Sequence, residues 1–463
     1  MPEARAMIAL ALPVVADQLG VMSMALVDTI MVGHLGSAAL GSVGIGASVY
    51  FFFMVFGYGT ISGVGPTVAQ AHGARDPREI ERSVAQAFWL AWGLTALGQV
   101  VAWSSGAVLR AMNEPPELIP LATSFVHAIA FGMPATFMYA VLRAFTTGLG
   151  RTRITMMIAL AGALINVAAD YALIYGKLGA PALGVAGAGY ATAIVQWCMF
   201  ALMLVFVLRS GELRQYRIFP QILPLRPTVI ARLVRLGMPI GGSNSLEVGF
   251  FGLTALLMGN FGKQALAAHQ VALNVASFTF MIPLGIGIAT STRVGQFIGA
   301  RNRAAARTSG WVGIGLATLV MMATAIALVS IPGPIIGIYT SDGTIFSYAT
   351  GFLVIAGAFQ IFDGIQVATL GALRGLKDTS RPMLVNLIAY WAVGVPSGYL
   401  LAFVLKWNGQ GLWWGLTIGL AAASVLHLNR FRLLIGTASG SEAASADAPA
   451  DAAADAADDA VRP

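Results

Sequence analysis

The chain is an internal duplication, which constrains its fold more than any other feature of the sequence. A shift of 226 residues aligns the first half of the chain with the second half. Beyond the middle of each copy the second half has one extra residue, so the shift becomes 227. The matched positions include Leu12-Pro13 with Met238-Pro239, Gly33-His34-Leu35-Gly36 with Gly259-Asn260-Phe261-Gly262, Gly73-Ala74-Arg75 with Gly299-Ala300-Arg301, and Gly148-Leu149 with Gly375-Leu376. The sequence therefore consists of two copies of one structural unit.

Composition places both copies in a lipid bilayer. Hydrophobic residues make up 57% of the chain and charged residues only 10%, against about 25% charged residues in soluble domains. Apolar segments long enough to cross ~30 Å of hydrocarbon as helices recur along the chain. The twelve predicted spans are 8–33, 39–72, 83–104, 119–147, 154–175, 184–208, 229–258, 265–298, 308–331, 347–372, 382–403 and 411–434. Six spans in each copy return the chain to the side where it started. The predicted fold is therefore an all-α integral membrane protein whose two six-helix units share one orientation.

The net charge of +7 reflects membrane orientation rather than nucleic-acid binding. If alternate loops are assigned to one side, that side holds 20 Lys and Arg residues, and the other holds only Arg110, Lys177, Lys263 and Lys406. This asymmetry predicts that the basic side and both termini are cytoplasmic. The bilayer, and not a nucleic acid, is the expected macromolecular partner.

The predicted domains follow from the duplication and from composition. They are the first six-helix unit at 1–208, a cytoplasmic loop rich in Arg and Pro at 209–228, the second unit at 229–436, and a tail at 437–463. The tail consists mainly of Ala, Ser and Asp and lacks apolar residues for a core, so we expect it to be disordered.

Five acidic residues within the spans mark the candidate site, because each costs about 2.5–3.5 kcal/mol at the centre of a membrane helix. They are Asp17, Asp28, Asp170, Glu247 and Asp363. Arg143 and Arg293 lie within spans but near predicted cytoplasmic ends, where long side chains can reach the interface. The same holds for Arg232, Arg235, Arg430 and Arg432 at the margins of their spans. The predicted interior is therefore acidic and without basic partners, which favours binding of Na⁺, H⁺ or an organic cation.

Helical spacing divides four of these acids between two sites. Asp28 and Asp170 lie in the outer half of the first unit, and Asn166 is one turn before Asp170. Glu247 and Asp363 lie about 17 Å from the inner surface, near the midplane. The alternative for each acid is a protonated carboxyl group that is hydrogen-bonded between helices. For Asp17, a helix-packing or water-facing carboxylate without a role in binding is as consistent with the sequence as a functional one.

Other polar residues are better explained by packing than by ligand binding. For Gln270 and Asn274 on the eighth span we expect hydrogen bonds between helices. The histidines show no metal-ligand spacing, and we expect them at interfaces or in packing contacts. No phosphate-binding loop is present, so we expect no direct use of ATP.

Several motifs resemble the multidrug and toxic compound extrusion (MATE) family, particularly its bacterial NorM-type branch. They are Leu26-Val-Asp-Thr-Ile-Met-Val-Gly33, Asn166-Val-Ala-Ala-Asp170-Tyr171, Gly187-Ala-Gly-Tyr-Ala-Thr192, Ser245-Leu-Glu247, Ala267-Ala-His-Gln-Val-Ala-Leu-Asn274 and Phe362-Asp363-Gly-Ile-Gln-Val. The resemblance implies two six-helix lobes around a central cavity. It also implies secondary active efflux of amphipathic cations by antiport with Na⁺ or H⁺, in a protein that is not an enzyme and needs no cofactor.

The resemblance also implies two groups of site residues. The first-lobe ion site, a candidate for Na⁺, would comprise Asp28, Asn166 and Asp170 with Thr192. The second-lobe site, for ions, protons or substrate, would comprise Glu247 and Asp363, with Gln270 and Phe359 nearby. NorM-type proteins often have a tyrosine where this chain has Phe359, which weakens the case for full oxygen coordination in the second lobe.

The expected location is the bacterial cytoplasmic membrane, and the expected state is a monomer. One alternative is a flippase for lipid-linked precursors from the same superfamily, which would need Arg or Lys at mid-depth to bind pyrophosphate. A membrane channel or receptor is the other alternative. The duplication and the paired acids argue against it.

The charge asymmetry predicts the topology directly. Cysteines introduced at Ser37 and at Arg217, in a chain whose Cys198 is replaced, should react with impermeant maleimide from opposite sides of the membrane, Ser37 from outside. If both react from outside, the assignment of spans is wrong.

Overall fold

The computed structural model describes the backbone of residues 2–446, and the side chains of residues 2–436 other than Ser37 and Val49. These residues form helices and no strands, which confirms the all-α prediction. Each predicted span corresponds to a helix: α1 (Pro2–Gly33), α2 (Ser37–Ser62, continuing as Val64–Gly73), α3 (Pro77–Trp103), α4 (Ile119–Ala130 and Met133–Gly148), α5 (Thr152–Tyr175), α6 (Val185–Arg209), α7 (Pro227–Met258), α8 (Lys263–Gly299), α9 (Arg303–Ser330), α10 (Gly343–Gly375), α11 (Ser380–Val404) and α12 (Asn408–Ala446).

Short helical segments join or interrupt these helices. The joining segments are Ser105–Ala111, Gly211–Arg214, Phe219–Gln221, Gly259–Phe261 and Pro332–Gly337. Within α11, the stretches Leu387–Gly394 and Leu400–Val404 are wound as π-helix. The two halves of α4 meet at a bend of 45°, where Gly132 lies so close to α6 that an added Cβ would be 2.7 Å from Ala193 Cα.

The described helices make this a multi-pass membrane protein. Ten of them are long and apolar enough to cross a bilayer, and the bent α4 makes eleven. The remaining helix at a predicted span, α7, is 32 residues long and contains Arg232, Arg235 and Glu247. A lipid environment provides no water for backbone amides, so the helices satisfy them internally.

The predicted start of the disordered tail, at residue 437, lies before the end of the last helix. Helix α12 continues to Ala446, ten residues past the predicted boundary. Adding residues to an existing helix costs much less than nucleating a new one, and Ala, Ser and Glu allow the extension. The rest of the predicted tail, 447–463, lies outside the described residues.

The duplication is visible in the backbone. Left-handed φ values recur at three equivalent pairs of loop residues: Gly36 (111°) and Gly262 (98°), Arg75 (56°) and Arg301 (57°), and Gly150 (80°) and Lys377 (61°). The helices that follow the turns at Arg75 and Arg301 are capped in the same way. The Asp76 side chain accepts a hydrogen bond from Glu79 N, and the Asn302 side chain accepts one from Ala305 N, each of 3.0 Å. The two copies therefore share their turn geometry as well as their helices.

Equivalent glutamines join the two lobes, α1–α6 and α7–α12, at the basic side. Gln70 Nε2 in α2 donates to Gly375 O in the second lobe at 2.8 Å. Its counterpart Gln296 in α8 donates to Gly148 O in the first lobe at 3.1 Å. The acceptors are equivalent in the alignment too, so one contact occurs twice, related by the internal symmetry.

Glycines allow the same two helices to approach closely. A Cβ added at Gly73 would lie 1.8 Å from Gln296 O, and one added at Gly299 would lie 1.9 Å from Gln70 O. Among the described residues, every hydrogen bond between the lobes lies toward the basic side, including Arg293 with Glu3 and Arg232 with Glu79. The lobes are therefore closed against each other at that side.

The paired glutamines should stabilise this closed arrangement. In the double variant Gln70→Ala/Gln296→Ala, two hydrogen bonds of about 1 kcal/mol each are lost, so the lobes should separate more often at the basic side. Spin labels at Arg78 and Ala304, measured by pulsed electron resonance, should show a longer mean distance. Gln99→Ala is the control, because Gln99 makes the same type of bond to Ala130 O within one lobe. An unchanged distance distribution in the double variant would contradict the assignment.

Candidate functional site

Three helices of the first lobe bring the predicted ion-site residues together. Asp28 lies on α1, Asn166 and Asp170 on α5, and Thr192 on α6. Asn166 Nδ2 donates to Asp28 Oδ1 at 2.8 Å, and Thr192 Oγ1 donates to Asp28 Oδ2 at 3.2 Å. The Asp170 carboxyl group lies beside that of Asp28. The sequence prediction of one cluster is therefore reproduced in its geometry.

The cluster contains buried oxygen atoms that lack a hydrogen-bond donor. Asp170 is fully buried, and among the described residues neither of its carboxylate oxygens accepts a hydrogen bond. The amide oxygen of Asn166 is also buried and has no donor. Buried acceptors are almost always satisfied in proteins. These three oxygens can be satisfied by a proton or by a cation, and carboxylate and amide oxygens are the ligands of hard cations.

The second lobe places Glu247 and Asp363 near each other, but with a basic neighbour. The two carboxyl groups are close enough for their charges to interact. Arg374, at the end of α10, lies near Glu247 and donates to Asn244 Oδ1 at 3.1 Å. The sequence prediction missed this arginine, because its position at a helix end suggested that it belonged to the cytoplasmic loop.

Two further sets of buried polar side chains are hydrogen-bonded in the second lobe. His427 Nε2 shares a hydrogen bond of 2.7 Å with Asn386 Oδ1, and Asn386 Nδ2 donates to Ser243 Oγ at 2.6 Å. Gln366 donates to the buried Tyr390 hydroxyl at 2.5 Å. The expected packing role of His427 agrees with its position: the side chain is buried, and its hydrogen bond joins α12 to α11. The one available signal was a set of single polar residues within apolar spans.

The structure places Phe359 among aromatic rings and Gln270 at an exposed position. The Phe359 ring is buried, with its centroid 5.9 Å from that of Phe251 and 6.0 Å from that of Trp413. Gln270 is exposed. Asn274 donates to Gln270 O within its own helix at 2.9 Å. The predicted hydrogen bond between helices is therefore wrong for Asn274, because at this helical spacing the side chain can reach the carbonyl one turn back.

The prediction of an interior without basic partners is also wrong. Arg143 Nε on α4 donates to Asp17 Oδ2 at 2.9 Å, and its Nη1 donates to the Tyr58 hydroxyl at 2.7 Å. Its Nη2 donates to Asp17 and Gln18. Asp17 and Arg143 are 126 residues apart in the sequence, so their pairing depends on the packing of α1 against α4. Asp17 is therefore an ion-pair residue, not a free carboxylate.

A cavity of about 100 Å³ lies between the lobes. Its polar lining comes from Tyr58, Ser62, Arg143, Thr147, Ser291, Thr292 and Arg374. Pockets for drug-sized ligands occupy about 300–1,000 Å³. In this closed arrangement the cavity is too small for such a ligand, so a larger site requires the lobes to move.

Comparisons with known proteins give one consistent result. The profile of the family described as MatE matches residues 13–172 and 239–400. A probable multidrug resistance protein NorM of Pseudomonas putida is 38% identical over 430 residues, covering 91% of this chain and 93% of that protein. The multidrug resistance protein MdtK of Edwardsiella ictaluri is 37% identical, covering 93% of this chain and 96% of that protein.

Solved structures share the fold at lower identity. A mutant of the Vibrio cholerae MATE transporter VcmN superposes with a TM-score of 0.85 at 18% identity, covering 94% of this chain and 98% of that one. The eukaryotic MATE transporter AtDTX14 gives a TM-score of 0.80 at 22% identity, covering 92% of this chain and 94% of that one. These matches confirm the predicted fold.

The Asp17–Arg143 pair should stabilise the first lobe only when both charges are present. Asp17→Asn or Arg143→Gln alone leaves a buried charge without its partner, at a cost of about 3–5 kcal/mol. The double variant removes both charges and should recover most of the loss. Thermal unfolding of the purified proteins would measure this coupling. Single variants that unfold like the parent would contradict a buried pair.

Proposed function

This chain belongs to the MatE family, and from that premise we propose that it exports small amphipathic cations by antiport with Na⁺ or H⁺. It is a membrane transporter and not an enzyme, and its efflux function follows from relatives named as multidrug resistance proteins. The choice of coupling ion, the residues that bind it and the direction of coupling are parts of the proposal.

The observation that carries the proposal is the group of donor-free oxygens in the first lobe. Asp28, Asn166 and Asp170 are proposed to bind the coupling ion, and Thr192 to orient Asp28. Two carboxylates and an amide oxygen suit either a dehydrated Na⁺ or a shared proton. The inward concentration gradient of such an ion can drive export of a cation. The membrane potential adds about 2.3 kcal/mol per 100 mV for each net positive charge that enters, so it contributes only when more positive charge enters than leaves.

The contacts between the lobes support an alternating mechanism. The closed basic side is held by a small number of hydrogen bonds and by glycine contacts that occur in equivalent pairs. We take this side to be cytoplasmic, with both termini there, in a bacterial inner membrane. Opening it would enlarge the small cavity between the lobes and admit substrate. The transporter is proposed to act as a monomer and without ATP.

The second lobe is proposed to exchange protons or to contact substrate. Arg374 lies beside Glu247 and offsets part of its charge, so this lobe is less suited to binding a bare cation than the first. Asp363 is the carboxyl group of the pair for which no basic neighbour is found among the described residues. The alternative of a flippase for pyrophosphate-linked lipids is disfavoured by the relatives named as multidrug resistance proteins. Arg143 and Arg374 do line the cavity between the lobes, and of these two only Arg143 is in an ion pair within the described residues, with Asp17.

Transport in membrane vesicles tests the proposed function. Inverted vesicles that contain the protein should accumulate ethidium when a Na⁺ or proton gradient is imposed. Accumulation should stop when both gradients are collapsed, even with ATP present. Comparing the two gradients one at a time identifies the coupling ion. Undiminished transport without either gradient would exclude antiport.

Two substitutions should separate the roles of the lobes. Asp170→Asn should abolish both ion binding and transport, because the ion loses one of its two carboxylates. Asp363→Asn should impair transport but leave ion binding in the first lobe within about twofold of the parent. Calorimetric titration of the purified variants with Na⁺ measures the difference. Glu117→Gln, an exposed residue outside both groups, is the matched control.

Two results would contradict the proposed roles of the two lobes. One is Asp170→Asn binding the ion like the parent, and the other is Asp363→Asn alone abolishing all ion binding.

A third variant examines the departure from the family pattern. Phe359→Tyr adds a hydroxyl group to the second lobe and should strengthen ion binding there, without changing the first lobe.

A further inference from the structure

An open cavity lies on the second lobe, between the basic-side ends of α9 and α12. Its volume is about 410 Å³, and Arg307, Trp311, Arg432, Ile435 and Gly436 line it. It is separate from the cavity between the lobes and from both carboxylate groups. None of its residues takes part in the proposed transport mechanism.

The two arginines in this cavity are not in ion pairs within the described part of the chain, in contrast to Arg430 and Arg293 on the same side. Arg430 is paired with Asp378 at 2.9 Å, and Arg293 is paired with Glu3. Among the described residues, neither Arg307 nor Arg432 has a carboxylate within 4 Å. Both side chains are exposed. The cavity thus contains two guanidinium groups that no carboxylate of the described residues neutralises.

Trp311 forms an aromatic wall of this cavity, and packing against neighbouring side chains holds its ring in place. The Arg432 guanidinium lies 5.8 Å from the centroid of the Trp311 ring, a cation–π arrangement. The Trp311 ring in turn packs edge-on against the buried Phe431, at 5.6 Å between centroids. Tryptophan is enriched where membrane helices cross the headgroup region. The cavity therefore lies at the depth where lipid headgroups occur.

An exposed apolar face of α9 leads from the cavity toward the bilayer centre. After Arg307 and Trp311, the residues on this face are Gly315, Leu319, Met322 and Ile326, spaced by three or four positions. Leu319 is 64% exposed, Met322 42% and Ile326 63%. Gly315 has open space around its Cα. A charged end and an apolar face on one helix match the two parts of a lipid molecule.

We propose that this cavity binds the phosphate headgroup of an anionic phospholipid in the leaflet on the basic side, with an acyl chain along α9. Guanidinium groups bind phosphate oxygens through paired N–H donors, and basic pockets between membrane helices on the cytoplasmic side bind anionic headgroups. The apolar face argues for a lipid over a soluble phosphate, which would gain nothing from it. The site would make transport depend on anionic lipid without any contact to the substrate.

The test uses the purified full chain in neutral detergent, titrated with fluorescent short-chain phosphatidylglycerol and, separately, phosphatidylcholine. Each arginine near the surface contributes about 1 kcal/mol to binding of anionic lipid. Arg307→Gln/Arg432→Gln should therefore weaken binding of phosphatidylglycerol by roughly tenfold or more and remove the preference over phosphatidylcholine. Arg307→Lys/Arg432→Lys should retain the preference, which also shows that substitution at these positions leaves the protein folded.

The matched control is Arg78→Gln/Arg82→Gln, which removes the same charge from exposed positions on the basic side of the first lobe. It should bind phosphatidylglycerol within about twofold of the parent. An equal loss in this control would mean non-specific attraction to a basic surface and would overturn the proposal. Unchanged binding in the variant with both cavity arginines replaced by glutamine would overturn it too.

Further measurements distinguish the lipid from two alternative ligands of this cavity. If millimolar inorganic phosphate displaces the lipid completely, the site binds a soluble anion and the lipid proposal is wrong. Residues 437–463 contain six acidic residues and one arginine, so the chain's own tail is the other candidate. Replacing those six carboxylates by amides in the full chain should leave lipid affinity unchanged. A tenfold gain would show that the tail occupies the cavity instead.

Discussion

The exclusion of water from the bilayer governs this structure at every level. Backbone amides cannot be left unsatisfied in hydrocarbon, so the chain crosses as helices. The same penalty applies to side chains. Most buried polar groups have found partners, such as Arg143 with Asp17 and Asn386 with His427. Among the described buried oxygens that lack a hydrogen-bond partner, those of Asp170 and Asn166 lie one helical turn apart, and both carboxylate oxygens of Asp170 lack a donor. A proton or cation is the partner that their chemistry requires.

Duplication gives the transporter two halves that can pack against each other in more than one way. The contacts of Gln70 and Gln296 are equivalent, and the glycines beside them permit close approach only while those positions lack a side chain. Such an interface is tight. Most hydrophobic packing lies within one lobe, although Val229 and Leu233 join the first-lobe cluster, and Met7 and Ala11 pack with residues of the second lobe. Movement between the lobes is thus compatible with stable packing inside them.

The lobes have the same fold but different electrostatics. In the first lobe the arginine pairs with Asp17 and leaves the Asp28 and Asp170 group without a basic neighbour. In the second lobe Arg374 lies beside Glu247, close to the acidic pair itself. The charged residues of the two lobes thus lie at non-equivalent positions of a shared backbone: Asp28 aligns with Thr254, and Glu247 aligns with Val21. This asymmetry is the physical basis for assigning the coupling ion to the first lobe.

The sequence by itself determined the duplication, the helical membrane fold and the positions of the helices. It determined these because hydrophobic length and repeat period are local properties that survive without tertiary information. It also grouped Asp28 with Asn166 and Asp170, since helical spacing and depth restrict which residues can meet, and family motifs added Thr192. The end of α12 was misplaced because helix propagation past an apolar segment leaves only a weak signal.

Only the tertiary structure decided which charges are paired. Arg143 and Asp17 lie on different helices, and Arg374 looked like a loop residue until its approach to Glu247 was known. Asn274 bonds within its own helix, and Phe359 packs among aromatic rings, because the neighbouring side chains determine those contacts. Pairing depends on helix rotation and on the reach of long side chains, and neither is encoded in spacing along one helix.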